Sequence, residues 1–419
     1  MDITFNRPRL SGEIPAISSK SEAHRQLICS AFSDAPTMII CTDTNNDIDA
    51  TVSCLNSLGA SIKRTSDGFF VEPIASLKSN AELDCGESGS TLRFLIPIIA
   101  ALGVDAKINM HGRLPKRPLS PLYELLESNG VKMSRQGENP FCISGRLKSG
   151  NYSIAANVSS QFISGLLFAL SLVDGDSTLT LEGNVESKNY IDMTLDAISL
   201  FGGNIVCEDN KFTIKSNGKF TSPKETTVGG DWSNAAFFLC AGALSENPVT
   251  VTGLDVNSSQ GDKAILDVLS RMGAKIHICG DKITVSREKH CGIDLDASQI
   301  PDLVPIIATV ASVADGKTVI HNAARLKIKE SDRILSTCNM IQALGGNATP
   351  TDDGMIILGC DALWGGNIDS ANDHRIAMSG AIASIVCSSP VTISGFEAIN
   401  KSYPKFKDDF YKLTLNGEI

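Results

Sequence analysis

Apolar positions recur along the chain at helical spacing, and several of these stretches end at a glycine. The five clearest examples are CLNSLGASI, LLESNGVKM, ISLFGGNIV, LSRMGAKIHI and IQALGGNAT. Their glycines are Gly59, Gly130, Gly202, Gly273 and Gly345, with successive separations of 71, 72, 71 and 72 residues. Glycine commonly ends a helix because it adopts the left-handed conformation without steric cost. The spacing predicts about six copies of one structural unit, with a sixth stop at Asn416-Gly417.

After most of these glycines the apolar period changes from helical to alternating, as in KIHICGDKITV and GNATPTDDGMIIL. Such segments predict two short strands joined by a turn. A second series of predicted helices opens with polar residues before an apolar run, at 19–32, 86–102, 159–173, 230–244, 300–313 and 372–386. Each unit is therefore predicted to contain two helices and several strands.

The sixth copy ends at the C-terminus without its strand pair. We expect the N-terminal segment MDITFNRPRLSGEI to supply the missing strands and bring the two termini together. Six units in a chain of 419 residues favour two α/β domains of three units each. The predicted domains are 20–228 and, as the second, 1–19 with 229–419. Hinge strands are predicted near 18–20 and 228–231.

The composition narrows the choice of function. The formal net charge is −10, which argues against nucleic acid or an anionic membrane surface as a partner. The N-terminus lacks the apolar segment of a secretory signal, and the apolar runs are shorter than the ~18 residues that a spanning helix needs. We therefore expect a cytoplasmic protein.

Twelve cysteines are scattered singly, and four of them lie in apolar segments: Cys29, Cys54, Cys240 and Cys387. This pattern favours buried reduced thiols over zinc ligands or disulfides. The six histidines do not pair at metal-ligand spacing, and neither nucleotide-binding glycine motif is present. We predict no metal and no cofactor.

The helix starts carry the candidate chemistry, because a helix N-terminus presents free N–H groups to anions. Polar or charged residues stand there in unit after unit: Lys20, Ser21 and Arg25; Ser88, Gly89, Ser90 and Arg93; Ser159, Ser160 and Gln161; Asp302; and Asp373, His374 and Arg375. Taken singly, the serines and aspartates are typical helix caps and the arginines typical surface charges. Their recurrence at one position of the repeat favours an anion site.

Three further segments concentrate positive charge. GRLPKRPLS holds Arg113, Lys116 and Arg117 between prolines, and Lys401 lies in INKSYPKF. KIKESDR contains Lys327, Lys329, Glu330 and Arg333, for which a solvated helix face is the alternative interpretation. Arginine and lysine gathered in this way suit carboxylate and phosphate recognition.

In order along the chain, SKSEAHR, ESGSTLR, GRLPKRPL, SSQF, ESKNY, IPD, KIKESDR, NDHR and NKSYPKF resemble the motifs of the 5-enolpyruvylshikimate-3-phosphate (EPSP) synthase family. The resemblance covers nearly the whole chain, from residue 19 to 406. It implies an enolpyruvyl-transferase fold of two domains, each an inside-out α/β barrel of three βαβαββ units, joined by two hinge strands.

The resemblance also implies a reaction. Members of this family transfer the enolpyruvyl group of phosphoenolpyruvate to the 5-hydroxyl of shikimate 3-phosphate by addition and elimination, releasing phosphate, in the biosynthesis of chorismate and aromatic amino acids. The expected partners are these two small molecules, with no cofactor, nucleic acid or membrane, and the expected state is a monomer. Gly89 matches the position that leaves room for glyphosate, so sensitivity to that inhibitor is a hypothesis.

The motif matches imply roles for individual residues. The implied catalytic groups are Lys20, Asp302 and Glu330. Those implied to bind shikimate 3-phosphate are Lys20, Ser21, Arg25, Ser159, Ser160, Gln161, Ser187, Tyr190, Asp302 and Lys329. Those implied to surround phosphoenolpyruvate are Lys20, Gly89, Arg113, Gln161, Lys329, Arg333, Arg375 and Lys401. Glu87, Asn189 and Arg325 depart from residues common in the family.

Three alternative interpretations make different demands on the sequence. A related family transfers the same group to a UDP-amino sugar, but its first motif is usually Lys-Asn and its basic loop usually carries a cysteine. At the first position this chain has Lys20-Ser21, and it has no cysteine between Gly112 and Ser120. A non-catalytic anion sensor would be expected to lose Lys20, Asp302 or Glu330. A purely structural repeat scaffold predicts unpatterned helix starts.

Overall fold

The computed structural model describes residues 1–415, so the predicted sixth stop at Asn416-Gly417 lies outside the described part of the chain. The chain divides into two compact units. We call Ser18–Val228 the N-lobe, and Met1–Ile17 with Gly229–Ile419 the C-lobe. Each lobe has its own apolar core.

Residues 1–415 form twelve α-helices: α1 Lys20–Ala31, α2 Asn46–Leu58, α3 Gly89–Leu102, α4 Leu122–Ser128, α5 Ser160–Leu172, α6 Lys188–Leu200, α7 Trp232–Leu244, α8 Ile265–Arg271, α9 Val304–Ala311, α10 Arg333–Ala343, α11 His374–Ala383 and α12 Phe406–Leu413. Short 3-10 helices cover Leu114–Lys116, Gly261–Ala264, Pro301–Leu303, Ala324–Ile328, Ser384–Val386 and Phe396–Lys401.

The strands of the same part of the chain are β1 Ile3–Phe5, β2 Gly12–Pro15, β3 Thr37–Ile40, β4 Ser61–Arg64, β5 Gly68–Glu72, β6 Ala81–Asp84, β7 Ala106–Asn109, β8 Lys132–Met133, β9 Phe141–Ser144, β10 Asn151–Ala155, β11 Ser177–Glu182, β12 Asn204–Glu208, β13 Lys211–Lys215, β14 Glu225–Thr227, β15 Val249–Thr252, β16 Lys275–Cys279, β17 Lys282–Ser286, β18 Asp294–Asp296, β19 Lys317–His321, β20 Asn347–Pro350, β21 Met355–Leu358, β22 Gly366–Asp369 and β23 Val391–Ser394.

These strands form one small sheet per repeat. The order β6-β7-β9-β8 recurs as β10-β11-β13-β12 and as β18-β19-β21-β20, with the first two strands parallel and the others antiparallel. Each of these sheets is built by a βαβαββ segment, as the family resemblance implies. The predicted α/β fold of two three-repeat domains is therefore confirmed.

Two sheets take their first strand from a distant part of the chain. β14 pairs in parallel with β3 in the first sheet, and β2 pairs in parallel with β15 in the fourth. The sixth sheet is completed by β1, which pairs antiparallel with β23. The N-terminal segment thus supplies one strand, β1, to the sixth sheet as predicted, but β2 joins the fourth sheet instead. Leu10 also bridges to Thr414.

One helix of each repeat lies in the middle of its lobe. In α5 and α7 twelve of thirteen residues are buried, and in α9 and α11 all residues are buried. The strands instead alternate between buried and exposed residues, as in β10 and β13. Helices therefore form the inside of each lobe and one-sided sheets the outside, because only the sheets need a solvated face.

The glycine stops behave as predicted, since all five of those named from the sequence have positive φ, from +71° at Gly202 to +124° at Gly59. The chain crosses between the two units at Ile17–Ser18 and Val228–Gly229, next to the hinge strands predicted near 18–20 and 228–231. Ser18 and Gly230 are single bridge residues rather than parts of longer strands, and Lys20 already begins α1 behind the cap residue Ser19. No helix among residues 1–415 is long and apolar enough to cross a membrane.

Candidate active site

Arg25 occupies a buried position on α1 and is held at all three guanidinium nitrogens. Its Nε donates to Thr194 Oγ1 at 2.9 Å, its Nη1 to the Ser21 carbonyl at 2.7 Å, and its Nη2 to the Tyr190 carbonyl at 2.7 Å. The guanidinium also lies 5.2 Å from the centre of the Phe94 ring. Burial lowers the pKa of Arg25 to about 10, which leaves the group charged at neutral pH.

Lys20 begins the same helix and faces α2. Its Nζ is 2.9 Å from Asp47 Oδ2, and its side chain keeps 17% of its surface exposed. The sequence offered no signal for Asp47, because the carboxylate lies on another helix, 27 residues away. Lys20 is thus a partly accessible cation with an acidic partner.

The starts of α3 and α5 are joined through Gln161. Gln161 Oε1 accepts from Arg93 Nη1 at 2.7 Å, and its Nε2 donates to Ser90 Oγ at 2.9 Å. Ser159 caps α5 by accepting from the Gln161 N–H at 3.3 Å. Arg93, which the sequence placed only at a helix start, is 4% exposed and orients the amide of Gln161.

Gly89 lies against two guanidinium groups at the start of α3. A Cβ at this position would be 2.7 Å from Arg117 Nη1 and 3.1 Å from Arg93 Nη1. Arg117 is buried, whereas Arg113, which the family resemblance implies as a ligand, is exposed. The basic loop therefore presents one arginine to Gly89 and another to solvent.

Ser187 and Tyr190 lie at the start of α6, next to the groups that hold Arg25. Ser187 is buried and has φ +51° and ψ +46°, the left-handed conformation that a serine seldom adopts. Strain of this kind concentrates at functional sites. Eight of the residues assigned to substrates cap N-lobe helices or lie in their first two turns: Lys20, Ser21, Arg25, Ser159, Ser160, Gln161, Ser187 and Tyr190.

In the C-lobe, Arg333 connects three carboxylates. Its Nη1 donates to Asp302 Oδ1, its Nη2 to Glu330 Oε2 and its Nε to Asp373 Oδ2, each at 2.7 Å. The Arg333 side chain is 2% exposed. Burial opposes its charge, but Asp373, Glu330 and Asp302 raise its pKa above the ordinary value. The structure therefore excludes the alternative in which the KIKESDR cluster is merely a solvated helix face.

Asp373 anchors this cluster and was not assigned a role from the sequence. It caps α11 by accepting from the Arg375 N–H at 2.9 Å, and it also accepts from Ser331 Oγ at 3.0 Å. Burial would raise the pKa of Asp373, but the charge of Arg333 outweighs burial and the pKa lies below its ordinary value.

Asp302 stands at the centre of the remaining cations. Lys329 Nζ is 3.4 Å and Arg375 Nε 3.8 Å from Asp302 Oδ1, while Arg375 Nη1 donates to the Asp302 carbonyl at 2.8 Å. Burial lowers the pKa of Lys329, and the Asp302 carboxylate only partly offsets that shift. Lys401 Nζ donates to the Asn372 carbonyl at 2.7 Å.

Two departures from the family pattern also have visible contacts. Arg325 Nη2 donates to the Ser298 carbonyl at 2.7 Å. The Glu87 carboxylate lies so close to Gly112 that a Cβ there would clash with Oε2.

Among residues 1–415 no group of three histidine, cysteine or acidic residues could hold a metal ion.

Comparisons with known proteins show which family the chain belongs to. The sequence profile of the EPSP synthase (3-phosphoshikimate 1-carboxyvinyltransferase) family matches residues 6–410. The chain is 40% identical to a 3-phosphoshikimate 1-carboxyvinyltransferase of Clostridium kluyveri, over 100% of this chain and 98% of the relative. It is 42% identical to the protein of that name from Clostridium novyi, over 96% and 95%.

Solved structures give the same result. An EPSP synthase from Acinetobacter baumannii superposes with a TM-score of 0.80 at 27% identity, covering 99% of this chain and 98% of the other. The enolpyruvyl transferase NikO from Streptomyces tendae shares the fold, with a TM-score of 0.78 at 17% identity over 98% and 96% of the two chains. The chain therefore belongs to the EPSP synthase family.

Proposed function

We propose that this protein transfers the enolpyruvyl group of phosphoenolpyruvate to the 5-hydroxyl of shikimate 3-phosphate, releasing phosphate, in aromatic amino acid biosynthesis. Full-length relatives with about 40% identity carry the name of this activity. The observation that carries the proposal is the cluster of Asp302, Glu330 and Asp373 around Arg333, with Lys329 and Arg375 beside Asp302. It combines carboxylates for proton transfer with cations for anionic substrates.

The chemistry makes three demands on the protein. A proton must reach the methylene carbon of phosphoenolpyruvate, the acceptor hydroxyl must lose its proton, and the substrates' phosphates and carboxylates need cationic partners. We assign Asp302 to accept the hydroxyl proton, and Glu330 with Lys20 to protonate the carbon. Addition and elimination run these transfers in opposite directions, so the acid and base roles exchange between the half-reactions.

The N-lobe residues supply most of the proposed shikimate 3-phosphate contacts. Helix-start hydroxyls and N–H groups suit a phosphate, and Arg25 and Lys20 add positive charge. The proposed ligands are Lys20, Ser21, Arg25, Ser159, Ser160, Gln161, Ser187 and Tyr190, together with Asp302 and Lys329 of the C-lobe. The left-handed Ser187 supports this assignment, since it fixes the start of α6 in a strained conformation.

The proposed phosphoenolpyruvate ligands are mainly cations: Lys20, Arg113, Lys329, Arg333, Arg375 and Lys401, with Gly89 and Gln161. Arg375 and Lys401 each donate to a backbone carbonyl, which costs less to give up or share than a buried ion pair. Arg333 already contacts the carboxylates that we assign to proton transfer, so its charge serves both substrate and acid–base groups.

Two expectations about the cellular state also remain proposals. We propose that the enzyme acts as a monomer on small molecules alone, and that it works in the cytoplasm. Burial of Cys29, Cys54, Cys240 and Cys387 as free thiols is compatible with a reducing compartment. Analytical ultracentrifugation should give a single species of 44.5 kDa.

The proposal is tested by phosphate release from phosphoenolpyruvate with either shikimate 3-phosphate or UDP-N-acetylglucosamine as acceptor. We expect release only with shikimate 3-phosphate, and its loss in Lys20→Ala. Lys63→Ala is the matched control, because Lys63 is an exposed N-lobe lysine on β4. Release with the UDP-sugar would favour the related transferase, and release with neither acceptor would favour the anion sensor.

A further inference from the structure

Another buried carboxylate, that of Asp262, lies close to Arg375 in the C-lobe. Asp262 is 3% exposed and belongs to the short 3-10 helix Gly261–Ala264, which packs against α7. Its carboxylate accepts a hydrogen bond from the side chain of Ser233, near the start of α7. Carboxylates are seldom buried this deeply without a charged or hydrogen-bonded partner.

Ser233 connects Asp262 to Arg375. Arg375 Nη2 donates to Ser233 Oγ at 2.5 Å. Arginine has no acceptor and a serine hydroxyl has one proton, so the direction of both bonds is fixed. Arg375 donates to Ser233, and Ser233 donates to Asp262.

The opposite corner of the guanidinium is held as well, since Arg375 Nη1 donates to the Asp302 carbonyl at 2.8 Å. Asp262 and Asp302 therefore lie on two sides of Arg375, one acting through a hydroxyl and the other directly. Because both Nη atoms of Arg375 are hydrogen-bonded, the guanidinium has one orientation within the site.

We propose that Asp262 is a positioning residue for Arg375, which it orients through Ser233 toward phosphoenolpyruvate while balancing the arginine's charge. The inference rests on the proposed function, in which Arg375 binds that substrate. A cation fixed before the ligand arrives loses less entropy and needs less reorganisation on binding.

The burial of Asp262 costs stability at neutral pH. Burial and the neighbouring Asp302 raise the pKa of Asp262 to about 6, while Arg375 and Ser233 oppose this shift and Asp231 adds to it. An acid whose folded pKa is raised favours folding below its unfolded pKa of ~3.9. That contribution is lost as pH rises through about 6. If Asp262 served packing alone, an uncharged side chain of the same size would make the folded protein more stable at pH 7.5.

The test compares Asp262→Asn and Ser233→Ala with wild type, using Asp267→Asn on the exposed face of α8 as the matched control. At saturating shikimate 3-phosphate we expect the KM for phosphoenolpyruvate to rise about tenfold in Asp262→Asn and in the same direction in Ser233→Ala. The kcat and the KM for shikimate 3-phosphate should stay near wild type. The thermal midpoint of Asp262→Asn at pH 7.5 should equal or exceed that of wild type.

An unchanged KM for phosphoenolpyruvate in both variants would overturn the inference. So would a loss of kcat together with a lower thermal midpoint in Asp262→Asn, which would indicate a structural role. If Asp262→Asn fails to fold, the KM of Ser233→Ala decides alone.

Calorimetry with phosphoenolpyruvate on the same proteins separates this inference from the proposed function. A wild type that binds the ligand but does not turn over contradicts the function alone. An Asp262→Asn variant that binds as tightly as an active wild type contradicts the inference alone. A wild type that neither binds nor turns over contradicts both.

Discussion

At the scale of single residues, the site depends on arginines whose positions are fixed by neighbours that the sequence only partly reveals. The helix-start pattern predicted Arg25 and Arg375, and the basic segment KIKESDR predicted Arg333. Several of the groups that orient them are distant in sequence: Asp373 lies 40 residues from Arg333, and Thr194 lies 169 residues from Arg25. No local pattern specifies such pairs, since they depend on how repeats pack.

Gly89→Ala tests whether the close approach of Arg117 and Arg93 to the start of α3 matters for phosphoenolpyruvate. The new methyl group would displace the end of Arg117, so we expect a higher KM for phosphoenolpyruvate and a change in unfolding free energy below ~1.5 kcal/mol. Gly150→Ala is the control, because its Cβ would meet nothing closer than 3.8 Å. Steady-state kinetics showing equal KM values in both variants would contradict this role of Gly89.

Asp373→Asn tests the buried charge cluster. Because the folded pKa of Asp373 is depressed, its stabilising contribution is present above the unfolded value of ~3.9 and is lost as pH falls below it. We expect the variant to lose ~3–5 kcal/mol at pH 7, since it leaves part of the Arg333 charge unpaired. Its urea midpoint should also depend less on pH between 5 and 3. An equal loss in the exposed control Asp361→Asn would refute the assignment.

At the scale of elements, the two helix series and the strand pairs were predicted because each has a local signal, either a glycine stop or an apolar period. The strand β14, which opens the first repeat, was not identified, and the N-terminal segment that contains β2 was expected in the sixth sheet rather than the fourth. β14 has only three residues, and its partner β3 lies almost the whole N-lobe away in sequence. The hinge predicted at 228–231 follows directly after β14, which ends at Thr227.

The glycine stops make a prediction at this scale. Gly130 has φ +87°, and a Cβ added there would have no neighbouring atom within 4 Å, so a side chain at this position meets backbone strain alone. We expect Gly130→Ala to cost ~1–2 kcal/mol and Gly130→Asn less, since asparagine tolerates the left-handed conformation better. Urea unfolding of the two variants measures the difference, and equal costs would argue against a conformational origin.

At the scale of the whole molecule, each lobe carries its own core, and the N-lobe is continuous in sequence. We expect a fragment of residues 18–228 to unfold cooperatively, because it contains every strand of its three sheets, including β14. A fragment ending at 222 should be less stable, since it exposes the edge of β3. Circular dichroism during urea unfolding would test both, and a non-cooperative 18–228 fragment would contradict an independent N-lobe core.

The proposed reaction consumes phosphoenolpyruvate and shikimate 3-phosphate together. Its most direct test is phosphorus and proton NMR of the wild-type protein incubated with phosphoenolpyruvate and shikimate 3-phosphate. We predict that inorganic phosphate and a new enol ether appear in equal amounts, and that neither forms when shikimate 3-phosphate is omitted. Phosphate without the enol ether, or no change in either substrate, would contradict the proposed function.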